Sequence, residues 1–149
     1  MVGVAIYDIL KNDTDVAALV GTKIYPIQAS ETATVPYITY QEISNVPASS
    51  KDSVSLLDQL RIQVSSFADT QDNVFSLAKK VRIALDKVTG IYSNDTFITV
   101  VRQLDFDGEI HLYLDNAAIF EIAQDYMIWC TENEGGIGVM IIGTDFTIT

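Results

Sequence analysis

Cysteine, histidine and basic side chains are scarce in this chain of 149 residues, and each shortage removes a class of chemistry. A single cysteine, Cys130, excludes an internal disulfide and any multi-cysteine zinc site. Placed after Met127-Ile128-Trp129, it reads as a small hydrophobe in or beside the last core strand. A single histidine, His111, leaves any serine or cysteine dyad one candidate base, and no Gly-x-Ser-x-Gly elbow exists to present a nucleophile. Neither Gly-x-x-x-x-Gly-Lys nor a complete Gly-x-Gly-x-x-Gly is present, which argues against a nucleotide enzyme. No apolar run approaches the roughly 20 residues of a membrane-spanning helix, and no basic segment precedes an apolar stretch at the N-terminus. The expectation is a cytosolic product with no signal of its own and no membrane partner. Nine Lys and Arg face 20 Asp and Glu, a net charge of -11, so non-specific binding to nucleic acid is not expected. An acidic surface past which DNA slides without sticking is compatible with that balance.

Apolar residues are plentiful by contrast. They make up 48% of the chain, a high share for a small domain that must cover much surface with polar groups, and the surplus points to subunit contacts. The length suits one domain able to bury about two thirds of its unfolded surface. Val2, Ala5, Ile6, Ile9 and Leu10 recur at helical spacing. Asp13 or Thr14 then caps a short helix through Leu19, with Gly21 just past its end. Residues 28–34 read as a surface loop, and Pro36 to Ser44, rich in Tyr, Ile and Thr, as a strand. The serine-rich segment 45–55 reads as a long hairpin loop leading to a strand in which Leu60, Ile62 and Val64 alternate with Arg61, Gln63 and Ser65.

The strongest periodicity predicts a helix from Thr70 to Val88 with Val74, Leu77, Ala78, Val81, Leu85 and Val88 on one face, capped by Asp69 or Thr70 and ended by Gly90. Lys79, Lys80, Arg82 and Lys87 occupy its other faces. Two further strands are expected, Phe97 to Phe106 with Ile98, Val100, Arg102, Leu104 and Phe106 on one face, and Ile119 to Cys130 with Phe120, Ile122, Tyr126 and Ile128 on one face. Residues 107–118 read as the connection between them. The fold class is therefore α+β, a mostly antiparallel four-stranded sheet with one long helix and one or two short ones on one face. Residues 1–130 form the domain, and 131–149 a C-terminal extension that begins glycine-rich and ends in the β-prone run 139–148.

Two calcium frames fail. In the EF-hand frame, Asp105, Asp107 and Gly108 take the third, fifth and sixth places, but Gln103 stands first and Leu114 twelfth, where a bidentate Glu is required. Gly135-Gly136-Ile137-Gly138 resembles a calcium-binding β-roll repeat, but it occurs once and Met140 stands where an Asp belongs. No catalytic, metal or cofactor residue is assigned. The candidate site is instead a contact surface. The bases Lys79, Lys80 and Arg82 and the acids Asp105, Asp107 and Glu109 could pair adjacent subunits, setting register more than affinity. Val139 and Ile141 lie in the apolar C-terminal run, which could add a strand to a sheet edge of its own or a neighbouring subunit.

The order of cues along the chain resembles one known family. Ala18-Leu19-Val20-Gly21, Ile24-Tyr25-Pro26, Pro36-Tyr37-Ile38-Thr39-Tyr40, Gln63-Val64 and Val81-Arg82-Ile83-Ala84-Leu85 stand in the order found in the tail-completion, or tail-terminator, proteins of long-tailed bacteriophages and prophages. The resemblance covers residues 13–130. It implies a virion protein, assembled in the host cytoplasm, that forms a hexameric ring with itself at the head-proximal end of the tail. Such a ring caps the tube protein, stops its polymerisation and meets the head-completion or connector protein, while DNA passes through without specific binding. The alternative is a small-ligand or regulatory domain with an apolar pocket between sheet and helix.

Overall fold

A computed structural model describes residues 2–47, 57–94 and 96–134. The expected hairpin loop beyond residue 47, and the C-terminal run with Val139 and Ile141, lie outside the described residues. The elements are α1 (Val2–Asn12), α2 (Thr14–Val20), β1 (Ile24–Pro26), β2 (Tyr37–Pro47), β3 (Asp58–Ala68), α3 (Gln71–Leu85), β4 (Gly90–Ser93), β5 (Phe97–Leu114) and β6 (Ile119–Glu134).

The helices form where the sequence provides caps and stripes. Asp13 accepts a hydrogen bond from the Val16 backbone at 3.0 Å and starts α2, which stops at Gly21 with φ 61, a left-handed turn that glycine adopts without strain. Thr70 Oγ1 accepts from the Asn73 amide at 3.1 Å and starts α3. The stripe Val74, Leu77, Ala78, Val81 and Leu85 is buried as its spacing predicts. At about 1.5–3 kcal/mol for each large side chain, that burial fixes α3 to the sheet. α3 ends at Leu85 rather than near Gly90, because the next residues are drawn to the sheet edge. Asp86 Oδ1 accepts from the Phe106 amide at 3.0 Å, and the Lys87 amide donates to the Leu104 carbonyl at 2.7 Å. Gly90 opens β4 instead.

The sheet has six strands, not four, in the order β1-β2-β3-β6-β5-β4. β1 runs parallel to β2 and every other pairing is antiparallel. α3 packs on β3, β5 and β6, while α1 touches β1 and β2 at one end of the order and β4 and β5 at the other, so the sheet curls around it. Val2, Ala5, Ile6 and Leu10 of α1, Leu60 and Ile62 of β3, Leu104 of β5, and Tyr126 and Ile128 of β6 share one buried core.

Two β-bulges in β5, between Val101 and Gln103 and between Phe106 and Gly108, correct the simple alternation read from the sequence. Val101, Leu104 and Phe106 face the helices, whereas Arg102 is exposed, because each extra residue resets which side chains turn inward. Residues 107–114, read as connection, continue β5. The Asp107-Gly108 turn signal is spent on the second bulge, and the chain reverses at Asp115–Ala118, with Ala118 at φ 53. β5 and β6 thus form one long hairpin whose outer part is an arm flanked by β3 along β6, as far as Phe120, with β5 as its free edge among the described residues.

Candidate functional site

The strands position the acidic candidates, and α3 carries the basic ones. Along β6, Phe120, Ile122, Gln124, Tyr126, Ile128 and Cys130 alternate with Glu121, Ala123, Asp125, Met127 and Trp129, and the buried members of the first set meet the helices. The register then puts Arg61, Gln63, Asp105, Glu121 and Asp125 on the other face of the sheet. Arg61 Nη1 donates to Asp107 Oδ2 at 2.9 Å and lies 3.5 Å from Asp125 Oδ2, so one cation holds two carboxylates across three strands. Lys87 Nζ meets Asp105 Oδ1 at 2.6 Å. The hydrogen bond from Lys87 holds the Asp105 carboxyl below its usual range and raises the lysine in turn. These two acids of the failed calcium frame turn to different cations and do not converge on one point. No cluster of metal-ligating side chains occurs among the described residues.

Glu109 and His111 turn toward α3. Burial pushes the Glu109 carboxyl up, but hydrogen bonds from His111 at 2.6 Å and Gln124 at 3.2 Å outweigh it and hold the group below its ordinary value. His111 also meets Phe75 of α3 edge to face, with ring centroids 5.0 Å apart. It is paired in register with Ile122, eight residues along β6 from Cys130, so the two are roughly 26 Å apart at about 3.3 Å per residue and form no dyad.

Sequence reasoning missed Gln124. It is buried on the core face, where its Nε2 donates to the Ala78 carbonyl of α3 at 3.0 Å and its Oε1 accepts from the Tyr126 hydroxyl at 3.0 Å. Burial pushes the Tyr126 hydroxyl up, so it stays a donor. The signal was present as a polar residue at an inward position of an otherwise apolar alternation.

The bases separate. Arg82 lies over the Phe106 ring, 3.9 Å from its centroid, and is held within its own subunit. Lys79 and Lys80 make no ion pair among the described residues. The structure therefore does not pair α3 with Asp105 or Asp107 inside the chain, since those acids have partners elsewhere. An apolar groove between α1 and the edge formed by β1 and β2, lined by Val2, Ile6, Pro26, Tyr40 and Ile62, measures about 260 Å³. That is below the roughly 300–1,000 Å³ of most small-molecule sites.

The amino-acid sequence of residues 4–131 matches a profile of tail completion proteins. The chain belongs to the tail completion protein gp17 family. Twenty chains of solved structures resemble it. One of them comes from the virion of a native gene transfer agent particle and is 21% identical, with a TM-score of 0.69, covering 87% of this chain and 92% of that one. At that identity the likeness establishes the fold. No curated protein sequence is significantly similar. Membership of the tail completion family makes the chain a structural tail protein of phage-like virions, as the order of its sequence cues implied.

Proposed function

We propose that this tail completion protein caps the tail tube as a hexameric ring and forms the tail side of the head-tail junction. The family match over residues 4–131 carries this reading, and the composition supports it, with an apolar surplus suited to subunit contacts. The function is mechanical and asks for no reactive group. The ring binds the tube protein on one side and the head-completion or connector protein on the other. Residues 131–149 reach neighbouring subunits or these partners.

The two sides of the sheet differ in a way that suits a channel. Helices cover one side, while the other carries Asp107 and Asp125 around Arg61, with Asp105 beside Lys87. Turned toward the axis, that acidic face would let DNA pass without adhering, since nearby phosphates within a Debye length of about 8 Å are repelled.

Inactivating the gene in a producing strain tests the capping role. The expected result is tails of unregulated length together with filled heads that carry no tail, both corrected by supplying the wild-type chain from a plasmid. Particles with normal tails joined to heads in the inactivated strain would contradict it.

A further inference from the structure

The outer arm of the β5–β6 hairpin is built unlike the rest of the surface. Ile110, Leu112 and Leu114 project from one side of it at 59%, 45% and 38% exposure. They alternate with Glu109, His111 and Tyr113, and it is the latter set that turns toward α3, through the His111–Phe75 contact and the Glu109–Gln124–Ala78 chain of hydrogen bonds. The three apolar side chains therefore point away from the subunit's own helix, which cannot cover them. A β4 strand that pairs only with residues 98–101 of β5 leaves the arm's outer backbone edge without a strand partner among the described residues. Charge on the arm has one sign, because no Lys or Arg occurs after Arg102. The arm's carboxylates are Asp107, Glu109, Asp115 at the turn, Glu121 and Asp125, and its other ionisable side chains are His111 and Tyr113.

The complementary surface lies on α3. Ile83 is 70% exposed on its outer face, beside a shallow groove that Lys79, Arg82 and Asp86 also line. Lys79 and Lys80 have no carboxylate partner in their own subunit among the described residues. One surface is thus apolar and acidic, the other apolar and basic, and they sit on different elements facing different ways.

We propose that the arm of one copy docks on the outer face of α3 of the next, Leu112 and Leu114 against Ile83 and Asp115 and Glu121 toward Lys79 and Lys80. The contact is heterologous, each copy offering both halves, and such a contact closes into a ring when its rotation closes. The inference rests on the ring reading above and supplies the surface through which the ring is joined.

Cysteine cross-linking separates the two claims. Native Cys130 is fully buried and silent to a short bis-maleimide. Ile83→Cys, Leu112→Cys and the double variant are treated after light scattering has established the size of the untreated protein, alone and with tube protein. The expected result is a ladder of covalent oligomers from the double variant, dimers only from a mixture of the two single variants, and none from either single variant alone. Assembled protein that yields no ladder would overturn this interface and leave the ring standing. Dimers from Leu112→Cys alone would also overturn it, showing arm against arm. A chain that stays monomeric under every condition would remove the ring, and this interface with it.

Discussion

Replacing Ile128 with alanine is expected to lower the stability of the unassembled subunit by about 2–5 kcal/mol, the range for truncating a large buried aliphatic side chain. Ile128 is fully buried at the middle of the sheet, where the register sets it directly between Leu60 of β3 and Leu104 of β5, both also fully buried. The neighbours are held by strand pairing on both sides, so they can relax little into the space left behind. A chain of this size loses roughly 2–4 °C in Tm per kcal/mol, which puts the fall at about 4–20 °C. Ile83→Ala is the control, since the side chain is exposed on α3 and its loss should stay within about 0.5 kcal/mol. Urea denaturation of both variants checks the pair. Equal stabilities would mean that the core is not centred where β3, β5 and β6 place it.

Gln124→Leu should cost about 2–4 kcal/mol although it adds apolar volume to an apolar neighbourhood. The wild-type amide joins α3 to β6 through the Ala78 carbonyl and gives the buried Tyr126 hydroxyl its acceptor. With leucine in place the hydroxyl stays buried without a partner, and an orphaned buried group carries a penalty of about 1–3 kcal/mol beyond the lost bond. Tyr126→Phe alone should cost about 1 kcal/mol. The double variant should then be less destabilised than the sum of the two, because removing the hydroxyl removes the orphan. Strict additivity in thermal melts of all three variants would show that the two side chains do not act as a unit.

How much of this fold could be read from the residues depended on whether the signal was long and periodic. The stripe of α3 with its Thr70 cap, the Asp13 cap of α2 and the alternation of β6 each repeat one physical requirement several times, and each appears in the structure as expected. β1 and β4, of 3 and 4 residues, are too short to display any period and exist because neighbouring strands offer them an edge. The bulges in β5 break the period at Arg102 and Asp107, which is why its inward face was misread and its outer half mistaken for a connection. The end of α3 was misjudged for a similar reason, since Asp86 and Lys87 answer to β5, a partner far off in sequence.

The candidate surface was legible as composition before it was legible as geometry. Lys79, Lys80 and Arg82 could be placed on the exposed side of α3 by spacing alone. That Arg82 is engaged with Phe106, and that Asp105, Asp107 and Glu109 each have a partner within the chain, required the strand register. The exposed apolar alternation of Ile110, Leu112 and Leu114 carried no inward signal, because it lies on the face of the sheet turned away from α3.

The central claim, that this tail completion protein closes the end of a tail tube as a ring, is tested most directly by negative-stain electron microscopy of purified tube protein polymerised with and without the chain. The account predicts annular particles of the chain seated at one end of each tube, with tube growth arrested at that end. Tubes that lengthen unchanged beside unattached monomers would contradict it.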